Sequence, residues 1–212
     1  MGIKQENEIT LKVNCGINEL CEILEDKGFL VVDKFTMNDI FMIPNTLKPK
    51  IKNLTSREIL KDAILIRDIE NEFKVNRNKK ITFKKKEFNK NGDILSQESI
   101  NCDIFNINEA VNLFRAIDYY RIMNIVESDT VYRKEDFEIA IKDIENGDNL
   151  IEIETLSNND HIDTIEKLKS QIINLEIPVD TSNFFVKKAE TELDKIIRRY
   201  KIVIEKLLKF IE

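Results

Sequence analysis

Several short segments of the sequence carry polar or charged residues at every second position, the spacing that places them on one face of a β-strand. Segments 8–12, 81–84 and 151–154 each alternate Ile, Leu or Phe with Glu, Thr or Lys. Each strand therefore has one apolar face and one polar or charged face, as strands of half-exposed sheets routinely do. If the strands close into a barrel with their apolar face against helices, the charges line the lumen, where they pair or bind an ionic ligand.

Such a lumen suits a polyphosphate, because Lys and Arg neutralise phosphoryl oxygens while clustered carboxylates hold Mg²⁺ or Mn²⁺. A phosphate-cradling glycine loop is unsupported, since the chain has five scattered glycines and no Walker, G-x-G-x-x-G or G-x-S-x-G motif. The lone His161 excludes sites built from several histidines. Three cysteines without C-x-x-C spacing argue against a disulfide framework or a structural zinc site.

The composition fits a single folded domain with an appendage. The chain has 212 residues, 42% of them hydrophobic, with 33 Lys+Arg against 39 Asp+Glu and a net charge of −6. This acidity argues against a general nucleic-acid or anionic-membrane binder. Short apolar runs and a polar N-terminus predict no membrane span or signal peptide, so we expect a cytoplasmic protein with reduced thiols. Richness in Ile, Lys and Asn suggests an AT-rich bacterial genome.

Period-two alternation recurs through the first three quarters of the chain, which favours a mostly antiparallel sheet with added helices. Asn91-Gly92 predicts a tight hairpin turn, and Ser56 and Asn108 are candidate helix N-caps. The predicted strands are 8–14, 29–42, 63–69, 81–88, 94–103, 122–126, 130–137, 138–144 and 150–155, and the predicted helices are 17–26, 56–61, 108–116 and 162–173.

The character of the sequence changes after Pro178. From Ser182 to the end, apolar residues recur at three-to-four spacing, which predicts a long amphipathic helix. Two interpretations stay open: the helix docks on the chain's own sheet, or it forms a homodimer. Membrane binding is disfavoured because acids are mixed among its basic residues. We therefore expect a core domain over residues 1–178 and a helical extension over 179–212.

The order of the charged strand motifs resembles that of the CYTH superfamily, which contains the class IV adenylate cyclases and the thiamine triphosphatases, also called triphosphate tunnel metalloenzymes. The resemblance covers residues 6 to about 155. Residues 8–12 resemble the E-x-E-x-K strand, 39–41 the D-x-Y-F segment, 63–67 the A-L-R-I-R strand, 81–84 the L-T-Y-K strand and 150–154 the F-x-E-I-E strand, and Glu98 fits an acidic position after the hairpin.

The resemblance implies an α+β fold with a closed, eight-stranded antiparallel β-barrel, or tunnel, and flanking helices. It also implies a site and its cofactor. Lys12, Arg67 and Lys84 would be catalytic and contact phosphates, Lys86 and Arg133 would bind substrate, and Glu8, Glu152 and Glu154 would hold Mg²⁺ or Mn²⁺.

The chain departs from the family pattern at several charged positions. Thr10 replaces the second Glu of the opening motif, and Leu65 replaces an Arg. Glu127 and Asp129 stand where the family has a K-x-R pair, and Lys142 stands where it has Asp. An acidic pair in place of a basic pair would strongly repel a triphosphate.

Two hypotheses follow. In the first, the chain is a metal-dependent enzyme that acts on a nucleoside or organic triphosphate, as an adenylate cyclase or a triphosphatase. In the second, it is a catalytically degenerate relative that binds a nucleotide or another phosphorylated ligand, or serves as an interaction module. Individual residues also have structural interpretations: Glu152 and Glu154 pairing with Lys142 and Arg133, and Asp39 capping a turn.

Overall fold

The computed structural model describes residues 8–88, 94–155 and 161–209. Its centre is an eight-stranded antiparallel sheet with the order β1-β8-β7-β6-β2-β3-β4-β5. Helices flank this sheet, so the predicted α+β class is confirmed. The strands are β1 (Glu8–Lys12), β2 (Leu30–Pro44), β3 (Ile64–Asn71), β4 (Asn76–Phe88), β5 (Ile94–Asp103), β6 (Tyr119–Lys134), β7 (Phe137–Ile144) and β8 (Leu150–Thr155). The helices are α1 (Ile17–Asp26), α2 (Ser56–Leu60), α3 (Ile107–Ala116), α4 (His161–Asn174) and α5 (Lys188–Lys209), with a 3-10 segment at Asn45–Asn53.

One face of the sheet is apolar and carries three helices. Ile9, Ile139 and Ile153 are fully buried there with Leu20 of α1, in a cluster that also includes Leu168 of α4. A second cluster joins strands β2 and β3 to α3. Burial of these aliphatic side chains is the main stabilising contribution of this layer.

The opposite face, here called the polar face, is apolar only at one end. Met123 and Ile125 of β6 share this face with Glu127, because alternate residues of a strand point the same way. They pack in one buried cluster with Ile59 of α2 and Leu193 of α5. The first half of α5 therefore docks on the chain's own sheet, whereas dimerisation through this helix stays a prediction.

The predicted barrel closure is not found among the described residues, where β1 and β5 are the two edges of the sheet. The outer edge of β1 is already hydrogen-bonded to the segment before α5. The Thr10 amide donates to the Phe184 carbonyl at 3.0 Å, and the Val186 amide donates to the Thr10 carbonyl at 3.0 Å. These bonds satisfy the backbone groups that a closing strand would need.

Other predictions differ from the structure in detail. The predicted strands 122–126 and 130–137 are parts of the single strand β6, so the sheet has eight strands rather than nine. Thr55 caps α2 in place of Ser56, and Asn106 caps α3 in place of Asn108. The Asn91-Gly92 turn lies outside the described residues, although β4 and β5 pair as the two arms of a hairpin would.

The three cysteines are free. None of the helices within the described ranges is long and apolar enough to span a membrane.

Candidate functional site

The strand register gathers charged residues from neighbouring strands on the polar face. Asp39 of β2 lies opposite Arg67 of β3, which lies opposite Lys80 of β4. Asp129 of β6 lies opposite Lys142 of β7. Directly opposed residues of antiparallel strands point to the same face, so these five side chains belong to one surface.

Two buried carboxylates and a buried ammonium form the centre of the polar face. Glu127 and Asp129 are 1% and 0% exposed, and Lys142 is 6% exposed. The Lys142 ammonium lies 3.0 Å from Asp129, 3.4 Å from Glu152 and 3.9 Å from Glu127. Burial would lower the pKa of Lys142, but the carboxylates of Glu152, Asp129 and Glu127 raise it above its usual value. Lys142 is therefore a permanent cation held by three acids.

The buried environment of Asp129 is unfavourable to its charged form. Burial raises its pKa to about 6, against the opposing effect of Lys142 and with a further rise from Glu127. Its Oδ1 atom is buried and has no hydrogen-bond partner in the part of the chain that the structure describes. One oxygen of Asp129 therefore faces a space that offers no donor.

Helix α5 adds a further cation to this centre. The Lys188 ammonium donates to both carboxylate oxygens of Glu127, at 2.7 and 2.8 Å, and lies 4.0 Å from Asp39 Oδ2. Lys188 is the first residue of α5, which docks beside it through Leu193. The C-terminal helix thus takes part in the ion pairing of the polar face.

Arg67 forms a two-pronged ion pair with Asp39. Its Nε and Nη2 atoms donate to the two carboxylate oxygens, each at 2.7 Å. Burial would lower the pKa of Arg67, but the hydrogen bonds and charge of Asp39 raise it. A planar guanidinium binds a phosphate with the same fork geometry that it uses here for a carboxylate.

Strand β4 carries two lysines on the polar face, Lys80 opposite Arg67 and Lys84 four residues further along the strand. Within the described residues, neither Lys80 nor Lys84 lies within 4.0 Å of an acidic oxygen, whereas Lys79, of opposite parity on β4, donates to the Phe105 carbonyl at 3.2 Å. Burial lowers the pKa of Lys80, and repulsion by Arg67 lowers it further. Arg67, Lys80 and Lys84, here called the basic cluster, form the part of the polar face that is suited to an anion.

The comparisons agree with this architecture. No family model matches the chain, and no curated protein matches its sequence. Among solved structures, the PH1819 protein from Pyrococcus horikoshii has a TM-score of 0.62 at 17% identity, over 89% of this chain and 99% of its own. A conserved hypothetical protein from Pyrococcus furiosus has 0.58 at 15% identity, over 87% and 99%. A candidate adenylate cyclase from Vibrio parahaemolyticus has 0.55 at 10% identity, over 87% and 95%.

The chain has a CYTH-like fold. At identities of 10 to 17%, the likeness to these structures shows the fold and nothing of their chemistry. In this CYTH-like sheet, the predicted site residues Arg67, Lys84 and Glu152 lie on the polar face, and their roles in binding phosphate or metal stay a prediction.

Other predicted site residues of the CYTH-like chain are engaged in ion pairs with its own acids. Lys12 donates to Asp148 at 2.8 Å, which lowers the pKa of that carboxyl. Arg133 pairs with Glu138 on the neighbouring strand. The side chain of Lys86 lies outside the described ones.

The three predicted metal ligands lie on neighbouring strands β1 and β8. The backbone register pairs Glu8 with Glu154, and two residues further it pairs Thr10 with Glu152. Carboxylate oxygens are the donors that Mg²⁺ and Mn²⁺ take, so the residue types fit a divalent ion. Among the described side chains, which include only Glu152 of the three, no group of three or more His, Cys, Asp or Glu residues could hold a metal.

Two site features were not predicted from the sequence. Lys80 has the same parity as Thr82 and Lys84 on β4, so the alternation could have placed it on the polar face. Lys188 offered no such signal, because its partner Glu127 is 61 residues away in the chain. Asp39, whose role was open between a turn cap and a lumen position, lies buried in β2 on the polar face.

Proposed function

We propose that this CYTH-like chain binds a triphosphate-containing small molecule on its polar face, together with Mg²⁺ or Mn²⁺, and acts on it as an adenylate cyclase or a triphosphatase. The observation that carries the proposal is the basic cluster, in which Lys80 lies opposite Arg67, Lys84 lies further along β4, and neither lysine has an acidic oxygen within 4.0 Å among the described residues. Cations left unpaired beside a third cation repel one another, and a polyphosphate relieves that repulsion.

Each residue of the basic cluster has a distinct task in this proposal. Lys80 and Lys84 contact phosphoryl oxygens as point charges. The Arg67 guanidinium gives up its two hydrogen bonds to the Asp39 carboxylate and donates two hydrogen bonds to a phosphate instead. The Lys12 side chain is 48% exposed, so its ammonium can leave Asp148 and contact a ligand near strands β1 and β8.

Glu8, Glu152 and Glu154 would hold the divalent cation at the β1 and β8 side of the face. When bound, this cation would neutralise charge on the phosphoryl oxygens and on the leaving group. Glu152 would have to share its carboxylate with Lys142, which lies 3.4 Å away.

A second function, binding of a less anionic phosphorylated ligand without turnover, is favoured by the acidic centre. Glu127 and Asp129 stand where the resemblance implies a basic pair, and both are buried on the polar face. Their charge opposes a ligand with three phosphoryl groups. The two functions share the basic cluster and differ in whether a product forms.

The test combines thermal unfolding with product detection. Inorganic triphosphate, ATP, GTP and thiamine triphosphate are added to the protein with Mn²⁺ or Mg²⁺. Ligand at one hundred times its dissociation constant stabilises a protein by about 2.7 kcal/mol, which raises Tm by roughly 5 to 10 °C at this chain length. We expect Lys80→Gln and Lys84→Gln each to lose most of this rise.

Lys79→Gln is the matched control, because it removes the same charge from the same strand on the opposite face. It should keep the full rise. Release of phosphate, pyrophosphate or a cyclic nucleotide by the parent protein identifies the enzyme, and a rise in Tm without any product identifies the binder. Absence of a rise with every one of these triphosphates refutes the enzymatic function, and absence of a rise with AMP and inorganic phosphate as well refutes the binding function.

A further inference from the structure

The amine of Lys188 is the principal counter-ion of Glu127. It lies 2.7 and 2.8 Å from the two Glu127 oxygens, whereas Lys142 is 3.9 Å away and is closer to Asp129. Glu127 is 1% exposed, so water contributes little to its solvation. A carboxylate in this position depends on a protein cation.

The position of Lys188 is fixed by the docking of α5. Leu193, one and a half turns further along the helix, is fully buried against strands of the polar face. Arg57 of α2 pairs with Glu190 at 3.2 Å, and Ser56 donates to Asp194. Contacts with the sheet and with α2 therefore hold the first turns of α5 over Glu127.

The charge balance of the ion-paired centre of the polar face depends on this amine. The centre holds four acids and three cations, a net charge of −1, and without Lys188 that net charge becomes −2. The acids are Asp39, Glu127, Asp129 and Glu152, and the cations are Arg67, Lys142 and Lys188. The extra negative charge would lie next to the basic cluster, where an anion is to bind.

The Lys188 ammonium also lies close to the Asp39 carboxylate. A phosphate that takes Arg67 leaves the buried Asp39 carboxylate without its partner, and the Lys188 ammonium is already 4.0 Å from Asp39 Oδ2. Resting on the proposed function, we propose that Lys188 is a positioning residue for the phosphate site. It neutralises Glu127 and becomes the counter-ion of Asp39 when Arg67 turns to the ligand.

The experiment measures the affinity for inorganic triphosphate in the presence of Mn²⁺ by isothermal titration calorimetry on the full chain. Lys188→Gln should weaken binding by about tenfold or more, as expected for one unit charge close to the ligand. Lys187→Gln, the matched control, removes the same charge one residue earlier and should leave the affinity unchanged. Lys188→Arg should retain most of the affinity, because it keeps the charge.

Rescue separates charge compensation from a direct contact with the ligand. Glu127→Gln combined with Lys188→Gln should restore part of the lost affinity, because the uncompensated Glu127 charge is gone while Asp39 still lacks the Lys188 counter-ion when Arg67 turns to the ligand. Glu127→Gln alone keeps Lys188 and should bind triphosphate more tightly, which gives a readout even if Lys188→Gln fails to fold.

The outcomes distinguish this inference from the proposed function. Unchanged affinity in Lys188→Gln, or no rescue in the double variant, overturns the role of Lys188 and leaves the phosphate site standing. A parent protein that does not bind inorganic triphosphate overturns the proposed function itself, and the role of Lys188 with it.

Discussion

Replacement of Lys142 by Met should destabilise the protein strongly, because it removes the one ammonium held by three carboxylates. The nearest of these, Asp129, is fully buried and loses its only ion-pair partner within the described residues. Removing one partner of a buried ion pair costs about 3 to 5 kcal/mol, since the remaining charge stays buried and uncompensated. For a chain of this length the loss corresponds to a fall in Tm of roughly 6 to 20 °C.

The pH dependence of this loss tests its electrostatic cause. Burial already raises the pKa of Asp129 to about 6 with Lys142 present, and removing Lys142 raises it further. Protonation of Asp129 removes the uncompensated charge, so the variant should lose less stability at pH 5 than at pH 8. Urea unfolding at both pH values measures the difference.

Two comparisons make the test decisive. Lys34→Met removes an exposed lysine that pairs with Glu72 at 3.5 Å, and it should cost no more than about 1 kcal/mol. Asp129→Asn combined with Lys142→Met removes both charges and should be more stable than Lys142→Met alone at pH 8. A loss below about 1 kcal/mol in Lys142→Met, or a loss independent of pH, would refute the reasoning.

Three further predictions concern stability. Leu193→Ala should cost about 2 to 5 kcal/mol in urea unfolding because the side chain is fully buried, whereas Tyr200→Ala, 67% exposed on the same helix, should cost less than about 0.5 kcal/mol. The pKa of Asp129 is raised above its unfolded value of about 3.9. The stability of the parent protein relative to Asp129→Asn should therefore fall as the pH rises from about 4 to 6. A constant difference in Tm between the two proteins over that range would contradict this expectation. Thr55→Ala should cost about 1 kcal/mol by removing the capping box with Glu58, and an unchanged Tm would show that α2 does not need the cap.

The sequence predicted the elements well where apolar periodicity was unbroken. Helix α1 has the predicted bounds, 17–26, and β5 and β8 also match. The interruption at Glu127–Asp129 led to the prediction of two strands, although β6 runs through it. Acidic residues that interrupt an apolar pattern indicate a loop only if water solvates them. Here Lys142 pairs with Asp129 and Lys188 pairs with Glu127, so both acids are accommodated within a strand.

The open edge of the sheet could not be predicted from side-chain patterns. Backbone hydrogen bonds join Thr10 to Phe184 and Val186, and a backbone amide or carbonyl carries no residue-specific signal. The strand count was compatible with closure, but closure also requires that no other segment takes the edge of β1. The segment before α5 does so in the described structure.

The pairing of the acids in the candidate site could not be predicted for a related reason. Read from the strands alone, Glu127 and Asp129 predict a face that repels phosphate, because the strand residues are then the only charges considered. Lys188 enters from a helix that the strand motifs do not include, and its ammonium contacts both oxygens of Glu127. A phosphate site beside such acids requires a cation from another element, and α5 places Lys188 against Glu127. It follows that Lys188 and Glu127 should be varied together, since either substitution alone changes the net charge beside Arg67.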